Sequence, residues 1–90
     1  MEFRVICFQE NGLFVAQGLE HDICVQAESL EELFGRFEVA VKLESEESGG
    51  LNHIDAAPSH FHAKWERRSA DLKPRNDNDA DYPYTMAMAA

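Results

Sequence analysis

The side chains in this chain whose types suit metal binding are four histidines, alongside two cysteines and many carboxylates. His60 and His62 are two residues apart, so on a helix they point to different sides. A tetrahedral zinc site needs four converging nitrogen or sulfur ligands, and no Cys-x-x-Cys pair accompanies the histidines. We therefore expect all four to be scattered over the surface, the other two being His21 and His53.

The two cysteines, Cys7 and Cys24, both fall in segments that have strand character. A buried free cysteine behaves as a small apolar residue, and that is the role we expect here. A disulfide would require neighbouring strands in register and an oxidising compartment. Nucleophilic catalysis would require a histidine beside the thiol in a cleft, which the sequence does not indicate.

Carboxylates occur in pairs and short series that resemble acid-base or cation sites: Glu31-Glu32, Glu46-Glu47 and Asp77-x-Asp79-x-Asp81. Adjacent residues diverge on a helix, and the aspartate series lacks the glycine and distal glutamate of a calcium loop. We interpret these groups as solvated charge. The sequence predicts no catalytic, metal or cofactor site, and no cofactor.

The charge is strongly acidic and unevenly distributed. Ninety residues carry 8 Lys and Arg against 17 Asp and Glu, a net charge of −9. Residues 1–50 hold three of the basic and eleven of the acidic residues. Phosphate repels such a chain, which argues against direct DNA binding, whereas a basic protein is attracted. We predict partner-binding carboxylates on the first helix and its approach, namely Glu28, Glu31, Glu38 and Glu44; the alternative is that they serve solubility alone.

The first half of the chain, residues 1–48, predicts a β-β-β-α core. β-branched and aromatic residues at 3–8, 13–17 and 23–27 indicate three strands, and Asn11-Gly12 between the first two is a strong signal for a tight hairpin turn. Ser29-Leu30-Glu31-Glu32 fits a capping box, after which apolar residues follow helical spacing. Gly35 falls within this helix, where we expect it to permit close approach of the sheet.

The second half predicts a helix at 58–72, a mobile polar loop at 73–83 and a last strand at 84–89. Together the elements predict one α+β domain over residues 1–90, in the order β-β-β-α-α-β. We expect an antiparallel sheet of three to four strands with the helices packed on one face. The strands carry apolar residues on both faces, so the second face needs a cover, which favours a homo-oligomer.

Residues 3–43 resemble the HicB-like antitoxin family in the order and spacing of their motifs. The segments that carry the resemblance are Phe3-Arg4-Val5-Ile6, Glu10-Asn11-Gly12-Leu13-Phe14-Val15-Ala16, Cys24-Val25-Gln26-Ala27 and Ser29-Leu30-Glu31-Glu32-Leu33, and Met86-Ala87-Met88-Ala89-Ala90 is similar to the last strand of short members. The loop Leu19-Glu20-His21-Asp22-Ile23 replaces the Pro-rich, Gly-ending link common in the family. We expect no C-terminal DNA-binding segment and no autoregulation on DNA, so the resemblance is to a short form of the family.

The resemblance implies a partial ribonuclease H-like fold and a non-catalytic antitoxin that masks the RNA-binding face of a small basic RNA-cleaving toxin of the HicA type. Ribonuclease H chemistry requires a carboxylate inside the first strand to hold metal ions, and residues 3–8 contain none. We therefore predict that the protein is not an enzyme. The alternative is a stand-alone oligomeric structural or adaptor domain, and a third reading is RNA binding with Phe3, Phe8 or Phe14 as stacking platforms.

The sequence also bears on location. The longest unbroken apolar run is four residues, so no membrane span is predicted. The N-terminus lacks the basic head and apolar stretch of a signal peptide. We expect a cytoplasmic protein.

Overall fold

The computed structural model describes residues 3–47, 49–72 and 84–89. In chain order the elements are β1 (Phe3–Glu10), β2 (Leu13–Gly18), β3 (Cys24–Ala27), α1 (Leu30–Ser45), a 3-10 turn (Gly50–His53), α2 (Ser59–Glu66), β4 (Arg68–Leu72) and β5 (Tyr84–Ala89). All the strands belong to one five-stranded sheet in the order β3-β2-β1-β5-β4. The predicted α+β class is confirmed.

The three-stranded meander forms as the sequence predicts. Asn11 and Gly12 adopt φ values of 53° and 82°, the left-handed region that a tight hairpin turn requires at both central residues. The turn sets the antiparallel register of β1 on β2, with Phe8 opposite Val15, and β3 then pairs antiparallel with β2. β1 lies at the centre of the sheet.

The other side of the sheet is larger than predicted and is not purely antiparallel. β5 pairs with β1 in parallel, and β4 pairs antiparallel with β5. β4 lies in the segment 58–72, which the sequence assigned wholly to a helix, whereas α2 ends at Glu66. The predicted mobile loop at 73–83 lies outside the described residues.

The start of α1 confirms the predicted cap. The Ser29 hydroxyl accepts a hydrogen bond from the backbone N–H of Glu32 (3.2 Å). The Glu32 carboxylate in turn accepts from the backbone N–H of Glu28 (3.2 Å), one residue earlier than in a standard capping box. The Glu32 N–H, which has no partner within the helix, is thus satisfied by the side chain of the N-cap residue.

The two helices cover opposite faces of the sheet, whereas we expected both on one face. Alternation along β1 sends Phe3, Val5 and Cys7 to the face that packs on α1. Ile6 points the other way and packs with Leu19, Ala87 and Trp65 of α2. The second cover that the apolar pattern requires therefore comes, in part, from α2 of the same chain, and the pattern alone does not call for another subunit.

Candidate interaction surface

The four predicted partner-binding carboxylates all lie on or beside α1, but they do not form one cluster. Glu31 and Glu38 are seven residues apart and so share one side of the helix. At roughly 100° per residue, Glu44 lies about 120° around the axis from Glu38. Glu28 precedes the cap. The structure therefore brings Glu31 and Glu38 together and separates them from Glu44.

Nitrogen-bearing side chains lie beside two carboxylates of α1, Glu32 and Glu44. Glu44 faces His53, with Oε2 and Nε2 3.6 Å apart. Glu32 pairs with Arg36 at 3.4 Å. Arg36 also donates from Nη1 to the carbonyl of Gln26 (2.9 Å), which covers part of the outer edge of β3. Glu32 and Glu44 are thus each engaged with a neighbouring side chain.

Two large apolar side chains interrupt this charged surface. Val39 and Leu43 are 58% and 60% exposed, and within the described ranges no other large hydrophobic residue is classed as exposed. They are four residues apart and so neighbours on the outer side of α1. Sequence reasoning singled out the carboxylates and missed this pair. The available signal was that both residues lie off the apolar stripe that faces the sheet.

A groove of about 440 Å³ separates α1 from the outer edge of β3. Its walls combine apolar and acidic groups: Asp22, Ile23, Cys24, Ala40, Leu43, Glu44 and Ile54. Leu43 therefore belongs both to the exposed apolar pair and to the wall of the groove. The groove and the outer side of α1 form one continuous surface.

Asp22 is held in place by a buried amide. Gln17 is 2% exposed, and its Nε2 donates to Asp22 Oδ1 (2.8 Å) and to the carbonyl of Gly18 (2.9 Å). The backbone N–H of Asp22 donates to the carbonyl of Asp55 (2.7 Å). The carboxylate is thus fixed at the rim of the groove from two directions.

A second cavity, of about 680 Å³, lies where β1, β5 and α2 meet. Phe8 stacks on Phe61 with centroids 6.1 Å apart, and Lys64 Nζ lies 5.2 Å from the centre of the Phe8 ring. Phe3 is fully buried, and Phe14 packs against the core. Phe3 therefore serves packing, whereas Phe8 and Phe14 are half-buried and line this cavity, so none of the three rings is a fully exposed platform of the kind that RNA stacking uses.

The histidines and cysteines depart from the expectation in two positions. His21 is buried, not on the surface; its Nδ1 lies 3.2 Å from the carbonyl of Ile54, and its ring meets Phe3 edge-on at 5.4 Å.

Cys7 is buried as expected, and burial raises the pKa of its thiol to about 12. Cys24 is exposed; partial burial, then the Asp22 and Glu10 carboxylates, raise its thiol pKa.

No cluster of three metal-ligating side chains occurs in the described part of the chain. Within the same part, no helix is both long enough and apolar enough to cross a membrane. Comparison with protein-family models, curated proteins and solved structures finds no match for this chain.

Proposed function

We propose that this protein is a non-catalytic binding domain of the HicB antitoxin type, which neutralises a small basic RNA-cleaving toxin by masking its RNA-binding face. The observation that carries the proposal is the outer side of α1. There, the exposed pair Val39 and Leu43 lies among the carboxylates of a chain whose net charge is −9.

The arrangement has the composition of a protein interface. Interfaces combine an apolar centre, which supplies most of the affinity, with a polar rim that remains partly hydrated. Val39 and Leu43 would form the centre. Glu28, Glu31, Glu38 and Glu44 would contribute the rim and attract a basic partner over a distance, which raises the association rate more than the affinity.

Masking explains neutralisation without chemistry. A toxin that cleaves RNA must present a basic face to the phosphate backbone. An acidic domain competes for that face by the same electrostatic attraction and excludes RNA sterically.

β1 carries a carboxylate only at its last residue, Glu10, so the ribonuclease H type of metal site has no ligand within the strand.

The test is neutralisation and binding of a purified HicA-type toxin in a ribonuclease assay. The variant Glu31→Lys/Glu38→Lys should lower the association rate on the order of tenfold at low salt, with a smaller effect at high salt because ions screen exposed charge. Glu66→Lys/Asp71→Lys, on the opposite side of the fold, makes the same change in net charge and serves as the control. Equal rates for the two double variants would exclude α1 as the docking surface, and failure of the unchanged protein to inhibit the toxin would exclude the function.

The alternative, a structural or adaptor domain that self-associates, has one supporting observation. Residues Arg68–Asp71 of the outer strand β4 are all exposed, and β4 pairs with β5 on one side only within the described residues. An open strand edge can pair with a second copy. Light scattering over a range of concentrations tests the alternative, which requires assembly, and a monomer at every concentration would exclude it.

A further inference from the structure

The groove between α1 and the edge of β3 has a composition that suits a particular kind of side chain. Its walls include Ile23, Leu43 and Ile54, and the acidic residues Asp22 and Glu44 line the same cavity. Lysine and arginine bury an aliphatic stem against apolar surface while their charged head meets an anion. We infer that the groove is a socket for a Lys or Arg side chain projected by a partner protein. The inference deepens the proposed function and rests on it.

The two carboxylates retain acceptor capacity for such a head group. Asp22 uses Oδ1 for the amide of Gln17, and Glu44 uses Oε2 toward His53. The second oxygen of each has no partner among the described residues. A guanidinium or ammonium group presents several donors and no acceptor, so it complements two unfilled carboxylate oxygens.

The socket is preorganised on the Asp22 side. Gln17 is buried and fixes the carboxylate, and the backbone of Asp22 is tied to Asp55. A fixed carboxylate loses little conformational freedom when a cation binds, so more of the interaction appears as affinity.

The local electrostatics agree with a cationic occupant. Partial burial, then the Asp22 and Glu10 carboxylates, raise the pKa of the Cys24 thiol at the groove wall, and the carboxylates act through a negative field that disfavours the thiolate. The same field that opposes an anion favours a cation. The volume of about 440 Å³ accommodates one long side chain together with the backbone that presents it.

The test uses two defined probes, the peptide acetyl-Gly-Ser-Arg-Ser-Gly-amide and the same peptide with citrulline in place of arginine, titrated into the ¹⁵N-labelled protein. Citrulline keeps the shape of arginine and removes the charge. We expect the arginine peptide to shift the backbone amides of Ile23, Leu43 and Ile54, and the citrulline peptide to leave them unchanged. Shifts spread over all acidic surfaces, or equal shifts with both peptides, would overturn the socket.

Three isosteric variants localise the effect. Asp22→Asn keeps an oxygen that accepts from Gln17, and Glu44→Gln keeps the size of the side chain. Each should weaken the arginine peptide by about three- to tenfold, whereas Glu66→Gln on α2 should leave its affinity unchanged. Equal affinity for all of these proteins would overturn the socket.

The same variants separate the socket from the proposed function. If Asp22→Asn and Glu44→Gln bind a HicA-type toxin as tightly as the unchanged protein, while Glu31→Lys/Glu38→Lys does not, the antitoxin proposal stands and the socket fails. If the peptide result is positive but the toxin is not bound by any form, the socket stands as a cation-binding groove and the antitoxin proposal fails.

Discussion

Gly18 lies against the ring of Phe3 so closely that a β-carbon at position 18 would stand 2.6 Å from Phe3 Cε1 and 2.7 Å from the carbonyl oxygen of His21. The glycine ends β2, and its N–H donates to the carbonyl of Ile23 (2.8 Å), which closes the loop before β3. The fully buried Phe3 ring and the loop to β3 thus share one tight contact, and only hydrogen at Cα fits between them.

The first prediction follows from this contact. Gly18→Ala should lower the free energy of unfolding by about 1–3 kcal/mol, because the methyl group overpacks a region bounded partly by backbone. Gly35→Ala is the matched control, since a β-carbon there meets nothing within 4 Å. It should stabilise α1 by about 0.5–1 kcal/mol, the difference in helix propensity. Urea unfolding followed by circular dichroism measures both, and a neutral Gly18→Ala would contradict the packing argument.

The two glycines also show where sequence reasoning reached its limit. We expected Gly35 to allow close packing because it interrupts a helix, and that expectation was wrong. Gly18 carries the steric constraint although it is the last residue of β2 and no turn motif marks it. Close approach depends on which side chain lies opposite in the folded chain, in this case Phe3, fifteen positions away along the sequence. A local pattern does not contain that information.

The strands show the same limit, because some could be predicted from a local pattern and others could not. The β1-β2 hairpin could be predicted because Asn11-Gly12 determines a local turn and the strands alternate. β4 could not, because Arg68–Asp71 is exposed and lacks apolar alternation. It forms a strand by pairing with β5, across the undescribed residues 73–83. The placement of α2 opposite α1 likewise depends on the long-range parallel pairing of β1 with β5.

The second prediction concerns the cover that α2 provides. Trp65 is 6% exposed and packs with Ile6, Leu19 and Ala87, while the guanidinium group of Arg68 lies 4.6 Å from the centre of its ring. Trp65→Ala should cost about 3–5 kcal/mol of unfolding free energy, the range for large aromatic truncations in a core. A cost below about 1 kcal/mol would mean that α2 is not a structural cover.

Oligomerisation provides the control for that measurement. If another subunit, rather than α2, covered this face, Trp65→Ala would change the concentration dependence of unfolding as well as its free energy. We expect the unfolding midpoint of both proteins to be independent of protein concentration if the protein functions as a monomer, as toxin masking allows. A midpoint that rises with concentration would favour the self-associating alternative.

The third prediction concerns the two thiols. The thiolate is the reactive form, so a raised pKa slows the reaction at neutral pH. Cys7, with its pKa raised to about 12 by burial, should react with a disulfide reagent only after unfolding. Cys24 is exposed and should react in the native protein, but more slowly than a free thiol, because partial burial and the Asp22 and Glu10 carboxylates raise its pKa. One equivalent of thiol should therefore titrate before denaturant is added and two afterwards.

The same reagent tests the source of the field at the groove. Asp22→Asn removes one negative charge, so the pKa of Cys24 should fall and the rate at pH 8 should rise, while the plateau at high pH changes little. Glu66→Asn, which lies away from Cys24 on α2, should leave the profile of rate against pH where it was. A profile that is identical in Asp22→Asn and the unchanged protein would show that the Asp22 carboxylate does not shift the pKa of this thiol.

The site itself was only partly predictable from the sequence. The composition directly predicts an acidic first helix. On that basis we predicted its carboxylates as partner-binding residues. That Glu31 and Glu38 share a side while Glu44 turns toward the β3 edge follows from helical geometry. The groove depended on Asp22 and Ile54, which lie in loops that meet through contacts such as Asp22 N–H to Asp55 C=O and His21 Nδ1 to Ile54 C=O. Loop contacts of this kind have no periodic signal in the sequence.

The fourth prediction separates the two parts of the α1 surface by their kinetics. Leu43→Ser truncates an exposed apolar side chain, so folding stability should change by less than about 0.5 kcal/mol. Loss of an apolar centre acts after the partner has docked, so the dissociation rate from a HicA-type toxin should rise, by about 1–2 kcal/mol in binding free energy. Glu31→Lys/Glu38→Lys should instead lower the association rate and leave the dissociation rate nearly unchanged, because separated charges steer the encounter.

Surface plasmon resonance at two salt concentrations measures both rates. The dissociation rate of Leu43→Ser, divided by that of the unchanged protein, should be the same at both salt concentrations, since salt does not screen an apolar contact. For the double charge reversal the ratio of association rates should approach one as salt increases. If Leu43→Ser altered only the association rate, or if the charge reversal altered only the dissociation rate, Leu43 would not lie at the centre of the contact and the carboxylates would not lie at its rim.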